Sequence, residues 1–338
     1  MDRSIPKFAT GATTLLGCMA LAATAGAAET WNMATVLPSG NFQLENAQRF
    51  ADAVAEATGG EVTITIHAGG SLGYKGPELL VAVRDGLVEI ADIQMNQQIG
   101  EDPFFGIESL PFLATGYEDL ARLQAITRPY FDEIAEAYNQ KLLYVTPWPP
   151  QNVFANAAVT DDLSAFGEMT IRTIDKNATD FFNELGATAV QMPWGEVIPA
   201  LASGAIDAVS TSSTSAVDGT FWEFMTDYNQ LQWQMNSQMV TVNMDAWNRL
   251  SPEHQTAIEA IAAEMEPEFR DASMAEDARN IATLNDNGMV TSLPSDAVKA
   301  RLREIGTAYW DDFIDSVGPR AEDVISAYMA ETEATAAQ

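Results

Sequence analysis

Apolar positions along this chain switch repeatedly between two periods. Alternating or β-rich runs at Trp31–Val36, Glu61–His67, Val88–Ile93 and Leu142–Thr146 predict strands. Helical spacing covers Phe42–Thr58, stopping at Gly59-Gly60, then Pro77–Asp85, stopping at Gly86, and then Glu118–Tyr138. The order β-α-β-α-β implies an α/β domain with a largely parallel sheet.

The pattern then restarts. Val153–Ala158, Met169–Arg172, Ala189–Met192 and Ile206–Thr211 read as strands. Helices over Asn177–Glu184 and Glu196–Ala202 separate them, closing at Gly186 and Gly204. One unit occurs in both halves: VAVRDGLVEIAD (81–92) and PALASGAIDAVS (199–210) each run helix, glycine, strand, with Glu89 or Asp207 three residues after the glycine. Two lobes built on one plan would explain this, and so would chance, because such punctuation is common. The last third is mostly helical. Ser251-Pro252-Glu253 is a helix start, with a capping serine and proline at the first position. The helix it opens could run to about Asn287-Gly288, long enough for a strut touching both lobes. The acidic, alanine-rich tail Ala330–Gln338 is expected to fray.

Charge narrows the function classes. The 338 residues hold 17 Lys+Arg against 48 Asp+Glu, a net charge of −31, which disfavours nucleic acid and anionic membrane surfaces as partners. Residues 1–28 stand apart. Arg3 and Lys7, the apolar stretch Ala12–Ala25 and the A-x-A site Ala25-Gly26-Ala27 read as a cleaved signal peptide, so the product is expected to be periplasmic. Cys18, the single cysteine, lies in that leader. Leu15-Leu16-Gly17-Cys18 loosely matches a lipoprotein box, but the apolar run continues past Cys18 and the A-x-A site fits better. A mature chain without cysteine has no disulfides and no thiolate chemistry.

Catalytic motifs are weak. Gly69-Gly70-Ser71-Leu72-Gly73 matches G-x-S-x-G, yet Tyr74-Lys75-Gly76-Pro77 delays the helix a nucleophile elbow requires. His67 and His254 have no carboxylate at metal-ligand spacing, so no metal site is expected. Nucleotide-binding glycine motifs are absent, and no cofactor is expected. The aromatics say more. Trp148, Trp194 and Trp233 each follow or end a strand, where α/β sheets bind ligands. They could line one apolar cleft, or each could pack a domain edge. Arg172 shares that address. Its planar fork suits a carboxylate, while a salt bridge to Asp175 or Asp180 is the structural alternative.

The stretch MTIRTIDKNATDFFNELGATAVQMPWGEVIPALASGAIDAVSTSS (169–213), with GGSLG, DGLVEIAD and LPFL (110–113) before it, resembles TRAP transporter solute-binding proteins of the DctP-like family. The resemblance spans nearly the whole mature chain. It implies an α/β, two-lobed periplasmic-binding-protein fold with a hinge and long inter-lobe helices. It also implies an extracytoplasmic protein, not an enzyme, that hands an organic acid to membrane subunits driven by an ion gradient. Lobe I is expected over 29–150 plus roughly 240–275, lobe II over 151–239 plus roughly 276–330, and a flexible tail over 331–338.

By the same resemblance the carboxylate-gripping arginine falls on Arg172 and the ligand-stacking aromatic on Trp194. Three departures bear on the ligand. A second arginine of many members is here Asn152, an asparagine falls at about Thr211, and a frequent histidine falls on Trp233. With one cation fewer, a C4-dicarboxylate would leave a charge unpaired. The expected ligand is therefore a monocarboxylate with an apolar, aryl-like body, with a branched or hydroxylated aliphatic acid next. Thr211 and Ser212 are expected to help hold the carboxylate, Trp148 and Trp233 to wall the cleft, and Gln94 and Asn96 to supply polar contacts from the first lobe. Two rivals from other classes are a secreted enzyme and a module reporting occupancy to a sensory receptor.

Overall fold

The computed structural model describes Met1 and residues 28–336. The expected leader, its cleavage site and Cys18 lie outside the described residues. Eleven strands follow: β1 Glu29–Ala34, β2 Val62–His67, β3 Ile90–Gln94, β4 Gln140–Pro147, β5 Gln151–Ala155, β6 Thr170–Thr173, β7 Thr188–Gln191, β8 Ala208–Thr211, β9 Asp227–Gln234, β10 Ser237–Asn243 and β11 Val290–Ser292. They form a five-stranded sheet ordered β2-β1-β3-β10-β4 and a six-stranded sheet ordered β11-β9-β5-β8-β6-β7.

Each sheet is the centre of one lobe, with apolar clusters on both faces. In the first lobe, Leu80, Ile93, Phe104 and Leu123 pack in one cluster, and Trp31, Phe50, Val242 and Phe269 in another. In the second, Ile171, Phe181 and Trp233 share one cluster, and Phe154, Val209 and Phe221 share another.

The repeated unit has a structural counterpart. β3 pairs in parallel with β1 and antiparallel with β10, while β8 pairs in parallel with β6 and antiparallel with β5. The helix before each strand ends at a left-handed glycine, Gly86 at φ +66° or Gly204 at φ +70°. Glu89 Oε2 accepts from Asn32 N at 2.9 Å, and Asp207 Oδ1 from Thr170 N at 2.8 Å. Each acid thus satisfies a backbone donor on its parallel neighbour.

The sheets are mixed rather than largely parallel, because β10 and β5 run against their neighbours. These are the strands that cross between lobes. The chain leaves the first lobe between β4 and β5 and returns between β9 and β10. Trp148 N donates to Asn236 O at 2.9 Å, tying the two crossings together. Helix Pro252–Asp286 is the third link. Its Ile258, Ala262 and Phe269 pack in the first lobe and its Leu284 in the second. Asp277 accepts from Ser213 Oγ at 2.5 Å and Asn280 donates to Thr214 Oγ1 at 3.0 Å, both on the second lobe. The C-terminal region divides. Val298 and Leu302 join the second lobe, whereas Phe313, Val324, Ile325 and Tyr328 return to the first lobe's core. Helix Pro319–Ala336 carries helical structure into the expected tail.

Candidate functional site

The carboxyl ends of β3, β4, β6 and β8 converge on one cleft between the lobes, with about 560 Å³ of free space including its mouth. Arg172 is the penultimate residue of β6, Thr211 ends β8, Gln94 ends β3 and Trp148 follows β4. Trp194 opens helix Trp194–Ser203 just after β7. All five line the cleft with Ser212.

Arg172 is 1% exposed. Its Nε donates to Met192 O at 3.1 Å, and its guanidinium lies 5.9 Å from the centroid of the Trp194 ring. Nη2 is buried with no hydrogen-bond partner among the described residues. Neither expected carboxylate pairs with it. Asp175 Oδ1 accepts from Ala178 N at 2.7 Å, capping helix Lys176–Glu184, and its Oδ2 accepts from Asn96 Nδ2. Asp180 pairs with Lys176. Burial pulls Arg172 down to about 10, opposed by the nearby charge of Asp175, so the cation persists at neutral pH. Burial likewise lifts the Asp175 carboxyl to about 6, against hydrogen bonds from Ala178, Asn96 and Ser109 and the charge of Arg172.

The walls combine apolar faces with free polar atoms. Trp148 is buried edge-on against Phe42, ring centroids 5.7 Å apart, and its Nε1 has no partner. Gln94 Nε2 donates to Asn236 Oδ1 at 3.1 Å. Ser212 Oγ caps the short helix Ser213–Asp218, accepting from Ser215 N at 3.3 Å. Leu37 and Ile174 add apolar surface. Gln151, Asn236 and Gln238 also line the cleft, and pattern reading of the sequence did not find them. Gln238 is buried with both its amide nitrogen and its amide oxygen unpartnered. The signal that could have found it was a glutamine in an otherwise apolar, β-rich run, MVTV.

Three expected site residues lie elsewhere. Asn152 points into the second lobe. Its Nδ2 donates to Pro150 O at 2.9 Å and Tyr228 OH at 3.0 Å, and its Oδ1 accepts from Gln232 N at 2.8 Å. These bonds hold a register shift between β5 and β9, where Gln232 has φ +48°. Trp233 is fully buried, stacked on Phe181 at 5.1 Å, with Nε1 donating to Ser210 Oγ at 3.2 Å. The alternation that would aim it at the cleft is displaced by the irregularity at Gln232. Asn96 is turned away by its bond to Asp175 and lines a separate cavity. The G-x-S-x-G stretch is a glycine turn. Gly69, Gly70 and Gly73 have positive φ, Ser71 is exposed, and no helix begins there. Among the described residues no cluster of His, Cys, Asp and Glu could hold a metal ion.

Both lobes touch across the cleft. Asn41 Nδ2 donates to Asp218 Oδ2 at 2.7 Å, and Lys75 Nζ lies 3.6 Å from Glu196 Oε1. Asn177 Nδ2 donates to Gly106 O and Ser109 Oγ, each at 3.0 Å.

This two-lobed fold has known counterparts. Residues 33–316 match the DctP model, the bacterial extracellular solute-binding proteins of family 7. The chain belongs to this family. Its members bind solutes as receptors and are not enzymes, and this DctP-like chain is accordingly a TRAP-type solute-binding protein. It superposes with a TM-score of 0.84 on a marine-metagenome TRAP solute-binding protein specific for pyroglutamate, at 30% identity over 90% of this chain and 99% of the other. DctP6 of Bordetella pertussis, an extracytoplasmic solute receptor binding pyroglutamic acid, is 28% identical with a TM-score of 0.86, over 89% and 100% of the two chains. The ectoine-binding periplasmic protein TeaA of Halomonas elongata is 22% identical over 320 residues, 92% of each chain. No helix among the described residues is long and apolar enough to cross a membrane.

Proposed function

We propose that this DctP-family receptor captures a small monocarboxylate in the periplasm, after removal of its leader, and delivers it to the membrane subunits of a TRAP transporter. Arg172 carries the proposal. It is a buried cation with a free Nη2 in the cleft and no carboxylate partner among the described residues. Leaving such a donor unmatched costs about 1–3 kcal/mol, which a ligand carboxylate recovers. Thr211 and Ser212 offer hydroxyls beside it.

The free amide of Gln238 and the free Nε1 of Trp148 extend the reading to the ligand body. They call for a donor and acceptors on a compact frame whose faces rest on Trp194 and Trp148. A cyclic acid with a ring amide meets all of these needs, and two relatives near 30% identity bind pyroglutamate. The body is therefore a lactam ring in preference to an aryl group. A ligand spanning Arg172 on one lobe and Gln94 and Gln238 on the other favours lobe closure by its differential affinity.

Isothermal titration with pyroglutamate, benzoate, succinate and ectoine tests this directly. Pyroglutamate is expected to bind tightest, with Arg172→Met weakening it about 30-fold or more. Tight succinate binding would overturn the monocarboxylate reading, and tighter benzoate binding would restore an aryl body.

A further inference from the structure

A second, open chamber lies beside the cleft, with about 1080 Å³ of free space including its mouth to solvent. On the first lobe it is walled by the glycine turn at Gly69, Gly70 and Gly73 and by Tyr74, and on the second by Pro193 and Gly195. Lys75 and Glu196 face each other at its rim, 3.6 Å apart and both largely exposed. Four side chains belong to both spaces: Val36, Pro38, Gln97 and Trp194.

Two of these four, Trp194 and Gln97, carry the large side chains shared by the two spaces. The Trp194 ring has the Arg172 guanidinium over it, 5.9 Å from its centroid, and the Phe221 ring 6.2 Å away. The end of the Gln97 side chain lies close against Gly76. A Cβ added at Gly76 would sit 1.7 Å from Gln97 Oε1, so only glycine at 76 admits the side chain there. That Oε1 is buried and unpartnered. We infer that Trp194 and Gln97 set an upper limit on ligand length by closing the carboxylate cleft against this outer chamber, and that removing either joins the two spaces and admits acids with an apolar extension. The inference rests on the carboxylate grip of Arg172 proposed above. The chamber suits an alkyl extension because Val36, Pro38, Tyr74, Pro77 and Pro193 give it apolar walls, with the charges of Lys75 and Glu196 at the rim.

The test is titration of the purified protein with pyroglutamate and with homologues carrying n-alkyl chains on the ring carbon remote from the carboxylate. For the wild type, affinity is expected to fall sharply beyond a short chain. In Trp194→Ala the parent acid should weaken about tenfold through lost ring contact. Affinity should then rise by roughly fourfold per added methylene beyond the wild-type limit. Gln97→Ala should also lift the limit while leaving Trp194 in place. Trp194→Leu, checked by circular dichroism, serves if the alanine variant does not fold. An unchanged limit in the variants, or no limit in the wild type, overturns the partition. Failure of the wild type to bind the parent acid or any other monocarboxylate overturns the carboxylate reading instead.

Discussion

A guanidinium with 1% exposure has lost nearly all its water, so each of its donors must be met by protein or ligand. Met192 O meets Nε, while Nη2 is buried and unmet among the described residues. Arg172→Lys keeps the charge but not the fork, and is expected to weaken acid binding about tenfold in calorimetry. Asp92 is a buried group of the opposite kind. Burial lifts its carboxyl to about 7 from 3.8, with Thr35 Oγ1 donating at 3.4 Å and Oδ1 unpartnered. Between those values the folded chain holds a proton that the unfolded chain has released. Stability therefore falls as pH rises through that window. Asp175, lifted to about 6, adds a shift of the same sign. Asp92→Asn should raise the melting temperature at pH 8 and flatten its slope between pH 5 and 8. A slope equal to that of wild type in thermal denaturation would remove Asp92 from this role. Of the candidate residues, Arg172 and Trp194 were legible because each stands at a strand end within a motif. Gln238 was not, because glutamine in a strand carries no functional signal until its partners are known.

Elements were legible where one face is buried and the other wet. Helix Phe42–Ala57 and β2 follow their expected ranges within a residue. A strand ending near Trp233 was expected and is β9, but its extent and all of β10 escaped pattern reading, because DYNQLQWQ and SQMVTVN place Gln, Asn and Ser among apolar residues without clean alternation. Every residue of β10 is buried, because it lies between β3 and β4 with Met239 in one core cluster and Val240 and Val242 in the other, while its start reaches the hinge and cleft. At this level Asn152 and Trp233 act on packing. Asn152→Ala strips Gln232 N and Tyr228 OH of partners and is expected to cost about 1–3 kcal/mol in urea denaturation. Trp233→Ala should cost about 3–5 kcal/mol, from the cavity left against Phe181 and Phe182. Were either variant to lose ligand affinity at unchanged stability, it would belong to the cleft after all.

Across the whole molecule, function depends on how the two lobes meet. Asp218 lies at the exposed rim and accepts from Asn41, which also caps helix Phe42–Ala57. Asp218→Ala is expected to favour the open arrangement, raising the ligand off-rate about tenfold, because it removes a part-buried charge-assisted hydrogen bond between the lobes. Small-angle scattering should show a larger radius of gyration than wild type in ligand, and an equal radius would remove this bridge from closure. The sequence by itself determined the α/β class, the repeated helix-glycine-strand plan, the family, and the strand-end positions of Arg172, Trp194, Thr211 and Trp148. These are local or periodic properties, written in neighbouring residues. Only the tertiary structure decided that Asn152, Trp233 and Asn96 turn away from the cleft, that Gln238 faces it, and that Arg172 has no carboxylate partner among the described residues. Those outcomes depend on a one-residue irregularity at Gln232 and on bonds such as Asn96 to Asp175, between groups far apart along the chain. A slip of one residue exchanges the two faces of a strand, and no local pattern records it.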